Sequence, residues 1–274
     1  MLVERACSVD RVPLVIWKWI VTWLEPWDVI HMRGLCRWWR RLPIESLPYA
    51  LLERISDDTP DVFLCNLTKY VAPLVGSKYI HRMPKLRTLD AAGCWSINDS
   101  HMKMLPDLEH VNIEDTYIKY LPTTLRSIVM NYRDDIDDAL IKPLIHLERL
   151  VASNTILTWF PPSLRELDIF GCQHVTDDMI RPLQFLERLN ASGTTVTWFP
   201  PSLRRLSIRN CRHVTLDMLR GLVNLTYLDV SSTAPATWLF GGEWPFAALR
   251  TLVIRNCPDV TEEMLEGLRC DIER

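Results

Sequence analysis

From Leu86 onward the apolar residues recur as LxxLxI or close variants, with a leucine opening a segment at 86, 125, 164, 203 and 249. Three intervals are 39 residues and the last is 46; the seven extra residues fall near Gly241 to Ala247, which reads as a surface insertion. A second leucine-led segment starts 22 residues into each unit, at Leu108, Leu147, Leu186 and Leu225, leaving 17 residues to complete it. In an extended segment successive side chains point to opposite faces, so the alternating apolar residues of each segment turn inward and the residues between them face out. The pattern predicts nine short strands, stacked because no single repeat can bury its own apolar face.

The longer repeats predict a short helix beginning after Asn98, Asp137, Thr176, Thr215 and Thr261. Each of these side chains suits an N-cap, and the acids Asp99, Asp138, Asp177 and Glu262 suit the positive end of a helix dipole. The shorter repeats carry no such pattern, and Pro161 to Ser163 and Pro200 to Ser202 favour an extended return. The run C-x-x-[IV]-T-[DE], at Cys172 to Asp177 and Cys257 to Glu262, resembles the cysteine-containing leucine-rich repeats of F-box proteins. The resemblance implies an α/β leucine-rich-repeat solenoid, with parallel strands on a concave face and alternating helical and extended returns. It also implies a buried turn ladder at the ninth position of each repeat, where Cys94, Thr116, Thr155, Cys172, Thr194, Cys211, Thr233 and Cys257 stand. There a thiol or hydroxyl would satisfy neighbouring backbone. Arg133 interrupts this series, so an irregular turn is expected from Asn131 to Asp134. The second position alternates in sign, as Arg87, Glu109, Arg126, Glu148, Arg165, Glu187 and Arg204, which suggests a charged stripe that fixes register.

Ahead of the repeats the composition changes: six of the eleven tryptophans lie between Trp17 and Trp39. Apolar spacing from Val12 to Leu42 predicts two or three short helices broken at Pro26 and Gly34. The segment resembles an F-box domain, with Pro13 at the opening proline, Ile16, Ile20 and Leu24 on the first helix, and Pro26 and Asp28 in the following turn. Val29, Arg33, Leu35, Cys36, Arg37 and Trp39 continue the match. The resemblance implies docking onto a Skp-type adaptor through Pro13, Ile16, Ile20, Leu24, Pro26, Val29, Leu35 and Trp39, an apolar helical surface received by a groove. A unit that only caps the open end of the solenoid is the other reading. The expected organisation is an all-α F-box-like unit over 1–45, connecting helices and a degenerate first repeat over 46–85 that includes Cys65 to Thr68, and the solenoid over 86–274.

Composition narrows the chemistry. With 48% hydrophobic and 24% charged residues the 274-residue chain reads as a folded protein. A formal charge of -3 supplies no general attraction to nucleic acid or an anionic membrane, so a protein partner is favoured. Eight cysteines include no CxxC pair, and reduced thiols are the simpler expectation. The apolar run Val12 to Leu24 contains Lys18 and is too short to span a bilayer, and the first ten residues lack a signal-peptide pattern. A cytoplasmic or nuclear location is expected, with an organellar one open. No phosphate-loop, dinucleotide, zinc-protease or serine-hydrolase motif is present. His174 and His213 are one 39-residue unit apart, roughly 10 Å across two strands, too far to share a zinc ion. Asp134, Asp135, Asp137 and Asp138 read as one helix cap with solvated neighbours. No catalytic residue, metal or cofactor is expected.

The candidate recognition surface is the outward strand face. Polar residues dominate its third and fifth positions, with Phe170 and Tyr227 as aromatic anchors and Arg149, Arg188, Arg205, Arg209 and Arg255 toward the C-terminal half. Together with Glu166, Asp168, Asn190 and Asp229 these residues form the expected substrate-binding set, and the arginines favour an acidic or phosphorylated peptide. Trp159, Trp198 and Trp238 recur on the short-repeat returns, either as outer-layer packing or as a second binding strip. The resemblance implies a substrate-recognition adaptor, monomeric within a cullin ubiquitin ligase whose other subunits transfer ubiquitin. A non-catalytic structural or assembly subunit of a larger complex, possibly organellar, is the alternative.

Overall fold

The computed structural model describes residues 69–71, 77–233, 245–266 and 268–274. The eight expected adaptor-binding residues, Cys65 to Thr68, Trp238 and most of the Gly241 to Ala247 insertion lie outside them. The chain divides into two units, Met1–Thr124 and Leu125–Arg274. In the first, the parallel strands β1 (Lys69–Val71), β2 (Thr88–Asp90) and β3 (His110–Asn112) follow one another. In the second, eight parallel strands run in chain order: β4 (Ser127–Val129), β5 (Arg149–Val151), β6 (Glu166–Asp168), β7 (Arg188–Asn190), β8 (Arg205–Ser207), β9 (Tyr227–Asp229), β10 (Thr251–Val253) and β11 (Asp271–Glu273). The nine expected strands are all present, and β1 and β11 extend the series at either side.

Each strand is three residues long because only the middle side chain has a core to enter. Leu150 and Leu206 are fully buried while their neighbours along the strand are half-buried or exposed, and the opening leucines Leu125, Leu147, Leu164, Leu186 and Leu203 complete the core. After each strand from β2 to β10 the chain turns through a left-handed residue at the eighth repeat position, with φ between 51° and 74°. Tyr132, at φ 56°, follows the same geometry, so the turn expected to be irregular is regular. Glycine suits Gly171 because its φ is 74° and because a Cβ there would displace the Asn154 amide.

The ladder behind the turns is polar, buried and shared between repeats. The Thr155 and Thr194 hydroxyls donate to the Ala152 and Ala191 carbonyls at 2.9 and 2.7 Å, and the thiols of Cys172 and Cys211 reach the same two oxygens at 3.3 Å. Burial pushes the Cys211 thiol above its ordinary value and keeps it neutral, as a donor must be. Arg133 keeps its place in the ladder at 4% exposure by folding its guanidinium onto Asp135, with bonds of 2.7 and 3.1 Å.

All five expected residues stand at N-cap positions, where the Asn98 and Asp137 side chains accept from the Ser100 and Ala139 backbone N–H groups while Thr176 and Thr261 make no side-chain cap bond. Asn98, Thr176, Thr215 and Thr261 precede α1 (Asp99–Lys103), α2 (Asp177–Ile180), α3 (Leu216–Leu219) and α4 (Glu262–Leu265). Asp137 precedes a 3-10 turn, Asp138–Leu140, in place of an α-helix. The acids after the caps do more than complement a dipole. Asp138 accepts the backbone N–H groups of Thr158 and Trp159 at 2.8 and 3.1 Å and the Thr158 hydroxyl at 2.7 Å. Asp177 does the same for Thr197 and Trp198, at 2.7, 3.0 and 2.6 Å. In the first unit Asp99 accepts from the backbone N–H groups of Lys119 and Tyr120. Each acid therefore ties a long repeat to the return of the short repeat after it, which has no helix of its own to hold it.

Candidate partner-binding face

Strand register brings the outward residues of the second unit into rows about 4.8 Å apart. The third-position row runs Arg149, Glu166, Arg188, Arg205, Tyr227, Thr251, and the fifth-position row runs Val151, Asp168, Asn190, Ser207, Asp229, Val253. Glu166, Asp168, Arg188, Asn190, Arg205 and Tyr227, all named from the sequence, line one shallow depression of about 180 Å³ together with Ser207. Its floor is the buried leucines of β6, β7 and β8, Leu167, Leu189 and Leu206.

The fifth-position acids are occupied. Asp168 accepts from the Ser153 hydroxyl, the Asn190 amide and the Phe170 backbone N–H, each at 2.9 Å. Asp229 accepts from the Ser231 hydroxyl and backbone N–H at 2.6 and 3.0 Å, with Arg209 at 3.9 Å. These carboxylates brace the strand ends. Asx-type bonding to the backbone two residues on recurs at Asp90 and Asn112 as well, and it is the reason such residues end strands.

The arginines divide. Arg149 bonds Glu166 at 3.0 Å and Arg255 bonds Glu273 at 3.0 Å. Among the described residues Arg188, with a side chain 60% exposed, has only the far oxygen of the same Glu166, at 3.9 Å. Arg205, its direct neighbour in register on β8, has no carboxylate beside it among the described residues and lies over the Tyr227 ring with its guanidinium carbon 4.2 Å from the centroid. Burial and the nearby Asp229 push the Tyr227 phenol above its ordinary range, so the ring under Arg205 stays neutral. Like charges directly opposite on neighbouring strands are unfavourable. Elsewhere the scaffold avoids them: in the second position Arg126 meets Glu148 and Arg165 meets Glu187, as expected from the alternating stripe. That stripe stops at Arg204, whose neighbour in register is Thr226. The positive surplus therefore centres on β7 and β8. Of the five arginines expected as one patch, Arg149 and Arg255 are paired at 3.0 Å, Arg188 and Arg209 each reach a carboxylate oxygen only at 3.9 Å, and Arg188 and Arg205 are the two that stand directly opposite in register.

Phe170 is 44% exposed at the turn after β6, outside the depression. Trp159 and Trp198 are half-buried, and the Arg181 guanidinium lies 5.1 Å from the Trp198 ring. His174 and His213 each bond a carbonyl of the preceding repeat, Leu157 and Val196, and among the described residues no cluster of three or more metal-ligating side chains occurs. Sequence reading missed the cation-π stack and the aspartate tie. The second was signalled by Asp138 and Asp177 standing twenty residues before Thr158 and Thr197, in each case followed by tryptophan.

No family model matches the sequence, and no curated protein matches it. Solved structures do match. A chain of the yeast Rad7 and Elc1 complex is 16% identical, with a TM-score of 0.55 over 83% of this chain and 78% of that one. A leucine-rich-repeat protein of Leptospira interrogans is 18% identical, TM-score 0.50, over 84% and 64% of the two chains. The functional domain of InlJ from Listeria monocytogenes, which includes a cysteine ladder, is 16% identical, TM-score 0.52, over 76% and 53%. The strand series, the turn ladder and these likenesses define the fold as a leucine-rich-repeat solenoid, a fold that supports protein binding. Among the described residues no helix is long and apolar enough to cross a membrane.

Proposed function

We propose that the protein is a substrate-recognition adaptor of a Skp-cullin-F-box ubiquitin ligase, presenting a protein substrate on the strand face of its solenoid. The observation that carries the binding half of this reading is the in-register pair Arg188 and Arg205, two guanidiniums that among the described residues have one carboxylate oxygen between them, at 3.9 Å from Arg188. A scaffold has no use for that juxtaposition, whereas an acidic or phosphorylated side chain would neutralise both arginines through charge-assisted hydrogen bonds. Support for the ligase half comes from the F-box-like spacing between Pro13 and Trp39 and from the similar Rad7 chain, which was crystallised with a second protein, Elc1. The chain contributes proximity, and catalysis belongs to other subunits.

Copurification of the full chain with a Skp-type adaptor tests the ligase half. Recovery is expected to be lost on Leu24→Asp, with unchanged recovery of the folded chain. Stable residence in a particle without any Skp-type adaptor would replace this reading with that of an assembly subunit. For the binding half, Arg188→Ala with Arg205→Ala should weaken capture of acidic and phosphorylated peptides on an array by about tenfold or more, and unchanged capture sinks the site.

A further inference from the structure

The turn after β4 departs from the rest of the solenoid in two adjacent residues. The left-handed eighth position is filled by Gly93, Asp115, Asn154, Gly171, Gly193, Asn210, Ser232 and Asn256 in the other described turns, residues that tolerate positive φ. Here it is Tyr132, a bulky side chain at φ 56°, and its ring gains no packing in return, being 69% exposed. Neither backbone nor core favours tyrosine there.

Its surroundings are equally unlike a solvated turn. Backbone bonds place the next two repeats directly alongside: the Tyr132 N–H donates to Ser153 at 2.9 Å and the Asn154 N–H to Phe170 at 2.8 Å. Those two repeats expose Ile156 (52%) and Phe170 (44%) at their own turns. Three consecutive repeats thus each expose a large apolar side chain at the turn after the strand, Phe170 at the seventh repeat position, Tyr132 at the eighth and Ile156 at the tenth, just past the buried Thr155. Beside them the charge is negative: Asp134 is exposed and has no side-chain partner among the described residues, and Asp137 meets only the Ala139 backbone. The single cation of the segment 131–138, Arg133, is buried and closed on Asp135.

We propose that this edge, formed by Tyr132, Ile156 and Phe170 with Asp134, is a second docking surface, fitted to a protein segment in which lysine or arginine stands next to an apolar or aromatic side chain. The sign of its charge is opposite to that of the Arg188 and Arg205 pair, so the two surfaces select different sequences, and this one does not depend on the ligase reading. A Tyr132 ring can stack with both the cation and its apolar neighbour, while Asp134 supplies the counter-charge.

The test is selection from a random-peptide phage library on the full-length chain, followed by fluorescence polarisation with the synthesised binders. Expected binders carry Lys or Arg beside Phe, Tyr, Trp or Leu; they lose about tenfold in affinity on Tyr132→Asn and on Phe170→Ser, and less on Asp134→Asn. They are unaffected by Arg188→Ala with Arg205→Ala. Because asparagine suits the left-handed position, Tyr132→Asn is expected to melt no lower than the parent, which separates lost binding from lost folding. The proposal is overturned if no binders emerge, if they are acidic, or if Tyr132→Asn binds them as tightly as the parent.

Discussion

At the scale of single residues, the ladder shows how one position can be filled by three chemistries. Threonine and cysteine both place a short donor against a shared carbonyl, and burial costs them little because the bond is made. Arg133 solves the same problem at greater cost, since a buried guanidinium is tolerable only with its carboxylate in place. Arg133→Ala removes that bulk and leaves a void next to Tyr132. It should destabilise the protein by about 2 kcal/mol in urea unfolding. Arg133→Thr restores the donor used in the short repeats and should recover part of that loss; equal losses for the two variants would mean the hydrogen-bonding role is wrong. The identity of the ladder residues was legible in the sequence, because a repeating polar position inside an apolar period has few explanations. The partner of Arg133 was not, because both Asp134 and Asp135 lay within reach and only the turn geometry chose between them.

At the scale of elements, the aspartate tie explains why returns without a helix hold their place. Burial alone would raise the Asp138 and Asp177 carboxyls, but the hydroxyl and two backbone N–H bonds from Thr158 and Trp159, and from Thr197 and Trp198, outweigh it and hold both below the ordinary aspartate value. A depressed folded value means that the stabilisation is complete above the unfolded value of about 3.9 and is lost as pH falls through the folded values. Asp177→Ala should therefore cost about 1–2 kcal/mol at pH 7 and much less near pH 2, read from urea midpoints at the two pH values. A cost independent of pH would show that the side chain acts by packing alone. The sequence marked both acids as helix-cap neighbours, which local pattern can do. That their second role lies in a different repeat, twenty residues on, depended on the stacking distance between returns.

For the solenoid as a whole, each repeat of the second unit touches mainly the next, so stability is carried by neighbour interfaces more than by any common centre. Leu206→Ala empties a fully buried site in β8 and should cost about 2–5 kcal/mol. Hydrogen exchange should rise most in Arg188–Asn190 and Tyr227–Asp229, the strands on either side, and least in Ser127–Val129. Uniform loss of protection across the unit would indicate a single cooperative core instead.

By itself the sequence determined the period, the positions of nine strands, the helix starts and the polar ladder, because each follows from local geometry repeated along the chain: alternation of side chains in a strand, short polar side chains beside the unpaired N–H groups of a helix start, one polar position recurring inside an apolar period. On the third-position row, tertiary structure alone decided which charges find partners. Five arginines look equivalent when counted along the strand face, yet register pairs Arg149 with Glu166 and Arg255 with Glu273 and leaves Arg188 against Arg205. Ion pairing is set by distances of a few ångströms between repeats, and repeat spacing in the sequence fixes which strands are neighbours without fixing which way a long side chain turns.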